Sequence, residues 1–197
     1  VFKMLHNTAV QTLQLLIVDL AGPQSIFGAA GPFSEVVRIR AADLNPAKPG
    51  LAQVFATGIP GANGIAFDSR GNLYVSGGAS GIVYSVGPNG GAAQAAAQID
   101  KNVRTLPDGK TQQSIVANGL KFDAMGVLHV ADTSRGAIWK IAMGADGKAG
   151  KPNLLAQSPM LEGAEKGPDT FSGFTANRLT STARHGAISN EVFSTYF

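Results

Sequence analysis

A stretch of 24 residues is written twice in this chain, and that doubling constrains the fold more than any other feature. Residues 63–86 read NGIAFDSRGNLYVSGGASGIVYSV and residues 118–141 read NGLKFDAMGVLHVADTSRGAIWKI, aligned without a gap at an offset of 55. The identical pairs are Asn63/Asn118, Gly64/Gly119, Phe67/Phe122, Asp68/Asp123, Gly71/Gly126, Leu73/Leu128, Val75/Val130 and Gly81/Gly136. Other columns keep their character, as in Ile65 with Leu120, Val83 with Ile138 and Tyr84 with Trp139. Self-similarity at such a period marks a repeat architecture, in which each unit buries its faces against its neighbours.

Each copy follows one grammar. Short apolar runs, GIAF and NLYVSG in the first copy, flank the DSRG run at 68–71, a hairpin connection with Gly where a positive φ is needed. GIVYSV supplies a third strand, and AAQAAAQI a fourth, although its alanines would also suit a helix. In the second copy GLKF, VLHVAD, AIWKIA and NLLAQ play the same parts. Upstream, an apolar strand over Leu15–Leu20, the alternating run SEVVRIRA and the outer run AQVFATG read as an earlier unit. Four short strands per unit, joined by tight turns, predict an all-β chain: a β-propeller of four-stranded blades. The sequence divides into blades at about 15–57, 58–112 and 113–160, with a degenerate unit over 161–197 that lacks the Phe-Asp hairpin. About three to four blades of a six-bladed type implies an incomplete ring, a fragment or a chain that pairs with another copy to complete one. The run IDKNVRTLPDGKT, which lengthens the repeat, reads as a connection decorating one face.

Composition excludes several chemistries. The 25 glycines among 197 residues favour turns over long helices, and the absence of Cys removes disulfides, thiolate metal sites and cysteine nucleophiles. A net charge of +3 comes from dispersed Lys and Arg with no basic run, which argues for a solvated surface and against nucleic acid as a partner. No apolar run reaches the ~18 residues of a membrane span, and polar Gln11, Thr12, Gln14 and Asp19 interrupt the opening segment, so neither a membrane partner nor a signal peptide is expected. A soluble protein is expected, with the compartment left open between cytoplasm and periplasm.

The segments ANGIAFDSRGNLYVSGG, VANGLKFDAMGVLHVADTSRGAIWKI and LEGA followed by an acidic residue resemble the SMP-30/gluconolactonase/LRE family over about residues 15–169. NHL-repeat proteins share the same blade start. The resemblance implies a six-bladed propeller and a metal-dependent hydrolase of small lactones or related esters. It also implies a divalent cation held by side-chain oxygens: Ca²⁺ first, with Mg²⁺, Mn²⁺ or Zn²⁺ as further possibilities. Neutral amide oxygens with one or two carboxylates suit hard cations.

Carried over to this sequence, the resemblance makes Asn63 and Asn118 metal ligands, with Asp169 in GPDT as the acidic ligand by its spacing from Asn118. Asp169, or Glu165 in LEGAEK, is the general base. No residue matches the family's first-blade Glu, whose place would fall before residue 1. An Asn before Gly also suits a tight turn entering a strand, so turn and ligand readings of both asparagines stay open. A non-catalytic propeller that binds a ligand or protein is the competing function. Asp68 and Asp123 read as Asx-turn formers, Asp132 as a turn residue, His129 as an interior or interblade histidine, and Tyr84 and Trp139 as interblade packing. His6 and His185 fall in segments the pattern does not place.

Overall fold

The computed structural model describes residues 14–17, 25–30, 33–44, 47–48, 50–105, 107–114, 116–158, 174–176 and 192–194. The described residues form β-strands, turns and short 3₁₀ segments such as Ala41–Asp43, without an α-helix. Three four-stranded antiparallel meanders follow one another along the chain. The first joins β1 (Gln14–Ile17), β2 (Ile26–Ala30), β3 (Glu35–Ile39) and β4 (Gln53–Thr57). The second joins β5 (Ile65–Phe67), β6 (Leu73–Ser76), β7 (Ile82–Val86) and β9 (Gln94–Gln98), with β8 (Gly91–Ala92) in the β7–β9 connection. The third joins β12 (Ala117–Phe122), β13 (Leu128–Asp132), β14 (Ala137–Ile141) and β15 (Asn153–Gln157). β10 (Val103–Thr105) and β11 (Thr111–Gln113) form a separate hairpin between the second and third meanders, and β16 (Phe174–Ala176) pairs with β17 (Val192–Ser194). These sheets are the blades of a β-propeller.

The first blade obeys the same register as the two that the doubled stretch predicts. In each blade the third and fourth strands pair through two residues and then shift by one: after Val36↔Ala56, after Val83↔Ala97 and after Ile138↔Ala156. Matching these bulges aligns Ser34 with Gly81 and Gly136. The two glycines have φ of 70° and 55°, and Ser34, at 58°, is the one described non-glycine residue with positive φ. Structure thus extends the repeat to a unit whose sequence has drifted, and the backbone still turns left-handed where the glycine is gone.

Alternation along each strand sends side chains to the two seams. Leu73, Val75 and Val86 pack with Phe27, Val36, Phe55 and Ile65 between the first and second blades. Tyr74 and Val83 pack with Leu120, Leu128, Val130 and Ile141 between the second and third. The seams repeat in detail. Phe27 meets Phe67 of the next blade at 4.9 Å and 63°, and Tyr74 meets Phe122 at 5.1 Å and 68°, both edge-to-face. Tyr84 lies against the first of these clusters and Trp139 against the second, the interblade role that their shared column predicts.

Local turn chemistry follows the sequence reading. Asp68 Oδ1 accepts from the backbone N–H groups of Arg70 and Asn72, and Asp123 Oδ1 accepts from those of Met125 and Val127, each at 2.9 Å. Burial works against the charge of Asp68, but the bonds from Asn72 and Arg70 outweigh it and hold the carboxyl below its ordinary range. AAQAAAQI resolves in favour of a strand, because β7 offers it a partner edge. β1 spans Gln14–Ile17; the remainder of the apolar strand expected to Leu20 lies outside the described residues, as do His6 and His185. The connection IDKNVRTLPDGKT carries β10 and the turn into β11, which passes through Gly109 at φ 80°.

Two contacts between neighbouring blades were not legible in the sequence. The β7–β9 connection reaches back to the first blade, where β8 adds to β4 as a parallel fifth strand and covers its open edge. Arg135 makes the second, reaching back from the third blade to the connection that follows the second. Its Nη1 donates to Asp132 Oδ2 at 2.7 Å, while Nη2 donates to the carbonyls of Asp100 at 2.9 Å and Lys101 at 3.2 Å.

Candidate functional site

The start of an innermost strand is where equivalent residues of successive blades come closest. β5 and β12 begin at the same end of their blades, and their first residues are brought together by one glycine and one serine. Gly64 lies so near the third blade that a Cβ there would stand 2.2 Å from the Asn118 carbonyl oxygen. Only glycine permits that approach. Ser76, at the end of β6, is fully buried and bonded on both sides. Its Oγ accepts from the Gly64 N–H at 2.7 Å and donates to the Asn118 carbonyl at 2.6 Å.

Asn63 and Asn118 flank this junction. The backbone N–H of Asn63 donates to the Ser76 carbonyl at 3.0 Å, so the residue does enter its strand through a local bond, as the turn reading expects. Its side-chain Oδ1 is nevertheless buried with no hydrogen-bond partner. Asn118 is 1 % exposed and its Oδ1 is likewise buried and unpartnered, while its Nδ2 donates to Thr133 Oγ1 at 2.9 Å. A buried amide oxygen without a partner costs roughly 1–3 kcal/mol. Two such oxygens in equivalent columns of adjacent blades therefore call for an occupant that supplies positive charge or hydrogen-bond donors. A turn role explains the backbone of these residues and leaves their oxygens unaccounted for. Ser114, 3 % exposed and four residues before Asn118, carries a further buried Oγ without a partner.

Around this end lie the β6–β7 turn, the β13–β14 turn over 133–136 and the β10–β11 hairpin, which leads directly into β12. Asp132 is fully buried and belongs to the turn, as its sequence context suggests. Ser134 Oγ at 2.6 Å and the Arg135 N–H at 3.2 Å donate to its Oδ1; Arg135 Nη1 at 2.7 Å and Trp139 Nε1 at 3.0 Å donate to its Oδ2. Four donors leave that carboxylate committed to structure. His129 stands at the opposite end of β13, its Nε2 3.5 Å from Asp123 Oδ2. Burial holds its imidazole below the ordinary range against the upward pull of Asp123.

Of the expected site residues, the structure brings Asn63 and Asn118 to one junction. Asp169 and Glu165 lie outside the described residues. Among the described residues no three His, Cys, Asp or Glu side chains are grouped so as to hold a metal ion. Sequence reasoning missed Ser76 because its column holds alanine in the next unit, at Ala131. Thr133 was missed because its column holds Gly78 in the previous unit.

No protein-family model matches the chain, and no curated protein sequence matches it. Solved structures do. The PQQ-bound form of aldose sugar dehydrogenase from Streptomyces coelicolor is 14% identical, with a TM-score of 0.44 over 68% of this chain and 46% of that one. Virginiamycin B lyase from Staphylococcus aureus is 10% identical, with a TM-score of 0.37 over 76% and 61% of the two chains. A streptogramin B lyase is 10% identical, with a TM-score of 0.35 over 73% and 59%. The chain spans between about half and three fifths of the length of these proteins. No helix among the described residues is long and apolar enough to cross a membrane.

Proposed function

We propose that this chain is a propeller module that binds a divalent cation at the mouth of its inner strands, and that the bound cation serves hydrolysis of small lactones or related esters. The observation that carries the reading is the pair of buried, unpartnered Oδ1 atoms of Asn63 and Asn118. Neutral amide oxygens of this kind suit Ca²⁺, which takes six to eight oxygen ligands and tolerates irregular geometry. The sequence resemblance to the SMP-30/gluconolactonase/LRE family supports the same assignment, with Asp169 as the acidic ligand and Asp169 or Glu165 as the general base. A cation so placed would polarise the lactone carbonyl and lower the pKa of a bound water. The chain's own contribution is to fix two oxygens on adjacent blades, brought close by the Gly64–Asn118 approach, and to present a carboxylate that takes the proton of the attacking water.

The competing reading is a binding module without catalysis. It draws on the neutral character of the donors among the described residues, which would favour a ligand held through hydrogen bonds to the two amide oxygens. Calorimetric titration with Ca²⁺, alongside lactone hydrolysis by the unsubstituted protein and Asn118→Ala, separates the two. Saturable Ca²⁺ binding and turnover that are both lost in Asn118→Ala support the hydrolase. Binding without turnover supports the module, and the absence of both overturns the cation site.

A further inference from the structure

The amide of a metal-binding asparagine is useful only if its oxygen, rather than its nitrogen, faces the cation. The two faces are nearly the same shape, so something must choose between them. At Asn118 the choice is built into the third blade. Thr133, fully buried at the β13–β14 turn, takes the Nδ2 group at 2.9 Å and leaves Oδ1 as the face without a protein partner. The backbone of the same residue is fixed from the second blade. Ser76 Oγ donates to the Asn118 carbonyl, and the Gly78 carbonyl accepts from the N–H of Ala117 at 3.2 Å. Asn118 is therefore held by two hydroxyls on two blades, one setting its position and the other its orientation.

We infer that Thr133 and Ser76 are positioning residues for the cation site: Thr133 locks the Asn118 amide with its oxygen toward the ligand, and Ser76 sets the separation of the two asparagine-bearing strands. The inference rests on the cation reading of the preceding subsection and names the residues that enforce it. It also makes the two asparagines unequal. The column of Thr133 is occupied in the second blade by Gly78, which has no side chain to orient Asn63. Asn118 is the ligand whose amide Thr133 presets.

The test uses the full chain, Ca²⁺ as the probe, and two readouts. Thr133→Val keeps the shape of the side chain and removes the acceptor. Ca²⁺ affinity is expected to fall about 10- to 100-fold, the range for loss of a residue that orients a metal ligand. Thr133→Ser restores affinity to within a few-fold of the unsubstituted protein. Without metal, the Asn118 side-chain NH₂ resonances should be protected from solvent exchange and lose that protection in Thr133→Val. A folded Thr133→Val with unchanged affinity and unchanged protection overturns the inference while leaving the cation site standing. A protein with no Ca²⁺ affinity overturns the cation site and this role together. Ser76→Ala, should it fold, is expected to weaken Ca²⁺ binding without altering the protection at Asn118; loss of that protection would assign both roles to Ser76 and refute the division made here.

Discussion

Substituting Gly64 by alanine tests the junction on which the site is built. Gly64 has no positive φ, so the substitution meets no backbone penalty and the whole effect comes from contact. The new Cβ would stand 2.2 Å from the Asn118 carbonyl oxygen and 3.0 Å from both the Asn118 carbonyl carbon and Gly119 Cα. All three are backbone atoms, so no side chain can swing aside. The two inner strands must part by about 1 Å to restore even a tight contact. Overpacking of this kind costs about 1–3 kcal/mol. The separation also stretches the buried 2.6 Å bond from Ser76 to the Asn118 carbonyl, which crosses between the two blades. Leaving one of those groups unsatisfied adds roughly another 1–3 kcal/mol. Gly64→Ala should therefore lose about 2–6 kcal/mol, a large share of the 5–15 kcal/mol that holds a typical domain folded. Guanidinium denaturation measures it, with Gly87→Ala as the comparison, since a Cβ at Gly87 meets nothing within 4 Å. A Gly64→Ala protein within about 1 kcal/mol of Gly87→Ala would refute the close approach of the blades.

Three further outcomes follow from the same structure. Ser34→Gly should raise the unfolding free energy by about 0.5 kcal/mol, because a left-handed L-residue costs roughly 1–2 kcal/mol and glycine gives back part of that gain as unfolded-chain entropy; a lower denaturation midpoint would show that the Ser34 side chain stabilises its turn. Arg135→Ala removes one of four donors to the fully buried Asp132 and the link to Asp100 and Lys101; denaturation should show a loss of at least about 2 kcal/mol, short of the ~3–5 kcal/mol for a wholly buried pair because Arg135 is partly exposed. The third concerns pH. Burial lowers the His129 pKa in the folded state, so between that value and the ordinary ~6.5 the unfolded chain binds a proton that the folded one does not. The His129 contribution is then complete above about pH 6.5 and declines as pH falls below it, and His129→Gln should flatten that part of the stability profile relative to the unsubstituted protein. Identical slopes would show that His129 titrates alike in both states.

The doubled stretch made the fold legible because propeller blades repeat their turn chemistry as well as their apolar pattern. Phe67 and Phe122 look like ordinary strand residues and prove to be the edge-to-face partners of Phe27 and Tyr74 across successive seams. The equivalence of Asn63 and Asn118 was readable for the same reason. What could not be read was anything that depends on a single blade. Ser76 replaces the alanine of its column with a hydroxyl that only the neighbouring backbone explains, and Thr133 orients an amide 15 residues away. The first blade kept its register and bulge while losing the sequence signature, with Ser34 in place of glycine. Backbone pairing preserves what side chains no longer announce.

The proposed site requires that the oxygens of Asn63 and Asn118 face a shared cation. Paramagnetic broadening by substoichiometric Mn²⁺ of the assigned side-chain amide resonances addresses it directly. The Asn63 and Asn118 NH₂ signals, with the backbone amides of Gly64 and Gly119, should broaden first, and excess Ca²⁺ should restore them. Broadening centred on the exposed carboxylates of Asp108 or Asp146, with the two asparagines untouched, would contradict it.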